Sequence, residues 1–210
     1  MRDRLLIIVR HGEYESGDNS PLSETGREQM KCLRRVINAF VAKTFGREET
    51  TRLCFSFSGS LRAVESIQKL RLYDEDIVMN ELYVTNPNDA GKPAEILEKV
   101  LGLANHYGAN VVVIVAHSTM PTVIAGAAHK FVTGRGVSGL SYAVKTGHGF
   151  VVKMATGAVS PIGWDDSPDE ELPLAQESNR PVIKAPPRSG QVVFKGGPND
   201  LEGDERIPFV

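Results

Sequence analysis

Leu5-Leu6-Ile7-Ile8-Val9-Arg10-His11-Gly12-Glu13 is the stretch on which the reading of this 210-residue chain turns. Five apolar residues, three of them β-branched, run directly into an Arg-His-Gly triplet. A short unbroken apolar run of this kind reads as a strand buried on both faces, as in a parallel sheet. The triplet then falls at the carboxyl end of that strand, the edge of an open α/β sheet where ligands bind. An arginine there can hold an anion, a histidine can face a crevice, and a glycine lets the backbone turn tightly. Taken alone, the triplet reads more readily as a hydrogen-bonded loop than as a reactive group. Val111-Val112-Val113-Ile114-Val115-Ala116 changes that, because it too ends in a histidine, His117-Ser118. Two buried strands that each deliver a histidine at the carboxyl end are a specific arrangement.

The segments between these strands alternate in character. A polar loop, residues 13–22, precedes a helix expected from about Gly26 to Lys43, with Thr25 and Glu28 as a capping box and Met30, Leu33, Ile37 and Phe40 on one face. A strand over Leu53 to Phe57 leads to a helix with Leu61, Val64, Ile67 and Leu70 at helical spacing. Ile77-Val78-Met79 reads as a short strand, and Pro93 suits the first turn of a third helix. After His117, Pro121 opens a fourth helix, Thr122 to Val132. Leu140–Lys145 and Gly149–Met154, joined by Thr146-Gly147-His148, read as a closing hairpin. The order β-α-β-α-β-α-β-α-β-β predicts a three-layer α/β/α sandwich around a mostly parallel sheet. Gly134-Arg135-Gly136-Val137-Ser138-Gly139 matches a dinucleotide fingerprint by letter. It follows a helix and precedes a strand, the reverse of what phosphate binding requires, and reads as a loop.

The composition, 41% hydrophobic and 24% charged, is that of an ordinary globular protein. A net charge of −2 gives no general affinity for nucleic acid or membrane. No apolar run approaches the roughly 20 residues a membrane helix needs, and the N-terminal run is too short for a signal peptide. The two cysteines, Cys32 and Cys54, read as buried free thiols, which fits the cytoplasm. No ligand spacing suggests a metal site. Eight of the 12 prolines lie from Pro161 onward, where acidic residues also outnumber basic ones by 10 to 5 from residue 165. A body over 1–160 and an acidic, Pro-rich tail over 161–210 are therefore expected. Such a tail can wrap the body or contact a second copy, so a homodimer is one arrangement it admits.

Arg10-His11-Gly12-Glu13, Pro21-Leu22-Ser23 with Gly26 and Gln29, Ser58 with Arg62-Ala63, and His117-Ser118 together resemble the histidine phosphatase, or phosphoglycerate mutase-like, superfamily. The resemblance covers residues 5–154. It implies that fold, no cofactor, and His11 as the nucleophile that takes a phosphoryl group on a ring nitrogen. It implies that His117, Arg10 and Arg62 hold the phosphate, with Ser118, Ser23 and Asn19 beside them. The chemistry of these side chains agrees: a phosphoryl dianion needs fixed N–H donors and positive charge, and arginine offers both in a planar fork. Glu81, after a short strand, stands where many members carry the proton donor; Glu13 is the second candidate. Taken singly, Arg62 reads as a surface arginine pairing with Glu65. Mutase-like members usually place an asparagine where Gly17 stands here. The stretch between Glu81 and His117 is also short for a mutase lid. The compact layout is similar to the phosphohistidine phosphatase branch. The expected activity is a metal-independent phosphatase acting on a phosphorylated small molecule or a phosphoprotein. The alternatives are a phosphoglycerate mutase-like phosphotransferase and a non-catalytic phosphate-binding module.

Overall fold

The computed structural model describes residues 3–46, 50–56, 59–71, 77–79, 93–141 and 143–166. Their elements follow the expected order: β1 (Leu5–Arg10), α1 (Glu24–Phe45), β2 (Arg52–Ser56), α2 (Leu61–Leu70), β3 (Ile77–Met79), α3 (Pro93–His106), β4 (Val111–Ala116), α4 (Met120–Thr133), β5 (His148–Lys153) and β6 (Val159–Gly163). They build one six-stranded sheet in the order β3-β2-β4-β1-β5-β6. β3, β2, β4 and β1 are parallel, and β5 and β6 are added antiparallel at one side.

The apolar run of β1 is continuous because helices cover both faces of it. Leu5, Ile7 and Val9 pack with α1 and α2, and Leu6 and Ile8 pack with α3 and α4. The period of two along a strand sorts alternate side chains into these two cores. β1 and β4 are neighbours, yet the helix after β1 lies on one face and the helix after β4 on the other. The two connections part at this point and leave a crevice between the strand ends, as in other open α/β sheets.

Local chemistry moves several expected boundaries. α1 begins at Glu24, not Gly26, because Ser23 is its N-cap and accepts a hydrogen bond from the Gly26 N–H, so the expected Thr25 box does not form. Leu61, read as core, is exposed at the first position of α2, and Ala63 and Ser66 fill that face instead. Cys54 is buried in β2, but Cys32 is only half-buried on α1, and both are free.

The closing hairpin is built differently from the expectation. Residues 140–145 form no strand among those described; β5 pairs instead with β6. β6 also carries the sheet to Gly163, past the expected end of the body at residue 160. By sequence Pro161 counts with the tail as the first of its eight prolines, and proline cannot donate to a sheet ladder. It is tolerated here because β6 is the edge strand, with one hydrogen-bonding side open.

Candidate active site

The register of two strands places the site. Arg10 pairs with Ala116, the last residue of β1 against the last of β4. His11 and His117 each come one residue later, and the His11 N–H donates to the Ala116 carbonyl at 3.2 Å. Their rings lie 5.0 Å apart between centroids at 64°. His11 is 2% exposed, His117 half-buried.

The His11 ring is fixed in one tautomer. Its Nδ1 lies 2.8 Å from the Gly12 carbonyl oxygen. A carbonyl can only accept, so Nδ1 carries the proton and Nε2 keeps its lone pair. Burial lowers the His11 pKa, and His117, Arg10 and Arg62 lower it further; the bond to Gly12 opposes them, and the result is about 4. His117 also falls to about 4, through burial first and then through Arg62 and Arg10. Both imidazoles are therefore neutral at pH 7.

The two arginines bring positive charge with donors to spare. Arg10 donates from one terminal nitrogen to the Val144 carbonyl at 2.8 Å, and Arg62 opens α2. The Nε atoms of both are buried and have no hydrogen-bond partner among the described residues. A buried unpaired N–H is costly, and two of them beside two neutral imidazoles leave positive charge and donors for an anion. Arg62 does not pair with Glu65: that carboxylate accepts from the Leu22 N–H at 2.8 Å and lies 3.9 Å from Arg27.

The loop that carries His11 is clamped from several sides. A Cβ on Gly12 would come within 2.6 Å of the Gly26 carbonyl, and one on Gly26 would collide with the carbonyl of Glu13. The loop thus crosses the start of α1 at a distance only glycine permits. Gln29 accepts from the Glu13 N–H at 2.9 Å, and Ser66 accepts from the Gly12 N–H at 3.2 Å. The Gly147 N–H points at the carbonyls of Arg10 and His11. The Thr146-Gly147-His148 turn is therefore a buttress for this loop and not a hairpin tip. Val144 links the two strand ends, with its N–H on Ser118 and its carbonyl on Arg10.

The remaining expected site residues are placed as follows. Ser118 and Asn19 are the non-glycine residues with positive φ among those described, at 32° and 33°. Such strain concentrates at functional sites. Ser118 is exposed in the turn between His117 and α4. The Asn19 side-chain oxygen accepts from the Leu61 N–H at 2.8 Å and so anchors the first turn of α2, from which Arg62 projects. Ser23 is occupied as the cap of α1. Glu13 is exposed next to His11. Glu81 and Ser58 lie outside the described residues.

One participant has no counterpart in the sequence reading. Tyr14 stands edge-on to His11, with centroids 5.2 Å apart, and its ring lies under the Arg62 guanidinium. Its place directly after Glu13 was the only available hint. Gln29, Glu65 and Ser66 act through hydrogen bonds between distant segments, which local pattern does not reveal.

No family model and no curated protein matches this chain. Its fold is similar to several solved structures. The protein histidine phosphatase SixA complexed with tungstate is 17% identical, with a TM-score of 0.48, over 76% of this chain and 97% of that one. Rv3214 from Mycobacterium tuberculosis is 13% identical, with a TM-score of 0.44, over 84% of this chain and 96% of that one. A mycobacterial glucosyl-3-phosphoglycerate phosphatase is also 13% identical, with a TM-score of 0.44, over 76% and 91%. Among the described residues, no helix is long and apolar enough to cross a membrane.

Proposed function

We propose that the chain is a phosphatase that transfers a phosphoryl group to His11 and then to water. One observation carries this reading: two neutral imidazoles meet at adjacent strand ends, beside two arginines whose buried Nε–H groups are unpartnered. The Nε2 lone pair of His11 attacks phosphorus. A bond forms from Nε2 to phosphorus as the bond from phosphorus to the leaving oxygen breaks. Proton transfer through Nδ1–H to the Gly12 carbonyl is not required, because that bond only orients the ring and steadies the charge the ring acquires. Arg10 and Arg62 neutralise the equatorial oxygens, and His117 donates a proton to one of them in a hydrogen bond. The leaving oxygen takes its proton from an acid, for which Glu81 is the first candidate and Glu13 the second. Water, giving a proton to the carboxylate left by the first step, then attacks phosphorus; the Nε2–phosphorus bond breaks, and inorganic phosphate and free His11 result. The substrate is a phosphorylated small molecule or a phosphoprotein, and the short stretch of sequence between Glu81 and His117 favours one too large to be enclosed.

Hydrolysis of p-nitrophenyl phosphate in EDTA, wild type against His11→Ala, tests the reading. We expect turnover in the wild type, loss of it by about 10⁴-fold in the variant, and an acid-labile, base-stable phosphoprotein when the wild type is quenched during turnover. A wild type that binds phosphate without turning over would make the chain a binding module.

A further inference from the structure

Among the described residues Arg62 makes no ion pair, and its buried Nε meets no acceptor. The carboxylate one turn along its own helix, Glu65, is committed to Leu22 and Arg27. What faces the guanidinium is the ring of Tyr14, with the Arg62 Cζ 4.6 Å from its centroid. The same ring meets His11 edge-on at 74°. The backbone of Tyr14 is itself fixed by a bridge to Leu22, which is fully buried.

We propose that Tyr14 is a positioning residue whose ring face holds the Arg62 guanidinium in the anion cradle while leaving its charge and its N–H donors uncommitted. A carboxylate would also fix an arginine, but it would occupy the fork and cancel the charge that an incoming oxyanion needs. An aromatic face attracts the cation through its quadrupole and offers no acceptor in the guanidinium plane. The edge contact with His11 sets that same ring against the nucleophile, so one side chain fixes the spacing between the attacking nitrogen and a phosphate-binding fork. Misplacement of such a fork by about 1 Å is enough to cost rate, which makes the spacing consequential.

This inference rests on reading the site as an oxyanion cradle, and its test separates the two. Inorganic phosphate is titrated calorimetrically into the full chain as wild type, Tyr14→Leu and Tyr14→Phe, and the Arg62 Nε–H resonance is followed by NMR, assigned by its loss in Arg62→Lys. Tyr14 is 38% exposed, so we expect Tyr14→Leu to weaken phosphate binding about threefold, the scale of losing a solvent-accessible cation–π contact, and Tyr14→Phe, which keeps the ring, to restore it. The Arg62 Nε–H proton should be shifted upfield by the ring current in the wild type and in Tyr14→Phe, and should move to the ordinary arginine position in Tyr14→Leu. Phosphate binding unchanged in Tyr14→Leu, or weakened equally in Tyr14→Phe, overturns the role of Tyr14 and leaves the cradle standing. A wild type that binds no phosphate overturns the cradle and this inference with it. If Tyr14→Leu does not fold, the wild-type resonance decides: an Nε–H proton without the upfield shift overturns the proposal.

Discussion

Two histidines of this molecule are buried alike and bonded alike, in regions of opposite character. His11 is 2% exposed and His129 is 4% exposed. Each has its Nδ1 2.8 Å from a glycine carbonyl, Gly12 for His11 and Gly157 for His129. Each therefore carries its proton on Nδ1 and presents Nε2. His129, however, lies in the C-terminal half of α4, where the ring ties that helix to the turn between β5 and β6, and its Nε2 is closed in without a partner among the described residues. His11 stands at the carboxyl end of a strand, 5.0 Å from a second imidazole and within the fields of Arg10 and Arg62. A buried histidine of fixed tautomer is thus not a site by itself. Its neighbours' charge and donors distinguish the proposed nucleophile from the structural pin.

The sharpest way to break this comparison is to delete both rings and compare turnover. His11→Ala should lose about 10⁴-fold in kcat, whereas His129→Ala should keep the wild-type kcat for p-nitrophenyl phosphate. Equal losses would erase the distinction. Next in size is the cradle: Arg62→Lys retains the charge but not the fork, and kcat/KM should fall about 10²-fold, as for removal of one transition-state donor.

The pH profile sharpens the same contrast. His11 must be neutral to attack, and its pKa lies at about 4 against an ordinary 6.5. The acid limb of kcat/KM should therefore fall through about pH 4, and an acid limb near 6.5 would mean that His11 is not the group titrating. The sign for stability is the same. The unfolded chain takes up these protons near 6.5 and the folded chain only near 4, so His11 and His117 contribute stability above 6.5 that is lost as pH falls toward 4. Urea midpoints measured from pH 7 to 4 should decline over that window, and less so in His11→Ala. The smallest effect falls on the other histidine. His129→Ala should cost about 2 kcal/mol of stability, through a lost hydrogen bond and a cavity, read as a lower melting temperature with unchanged kcat.

Much of this was legible in sequence because burial on both faces writes itself as an unbroken apolar run. β1 and β4 are such runs, and the polar residues after them had to lie at the strand ends. Their equal length is part of the same signal, since His11 comes six positions after Leu5 and His117 six positions after Val111. Strand order was not legible. Nothing local to β1 says that its neighbour is β4 and not β2, the next strand in the chain. β6 was missed for a related reason: an edge strand tolerates a proline, so Val159-Ser160-Pro161-Ile162-Gly163 carries no clear strand signal.

By itself, the sequence determined which residues could do the chemistry and which end of each strand would carry them, because hydrophobic periodicity and turn chemistry are properties of neighbours along the chain. Only the tertiary structure decided that the two histidines share one register, that Gly12 and Gly26 let the loop lie against α1, that Asn19 anchors the helix of Arg62, and that Tyr14 lies beneath its guanidinium. Those are contacts between segments far apart in sequence. They are selected by how helices and strands close around common cores, a competition that no local stretch of residues encodes.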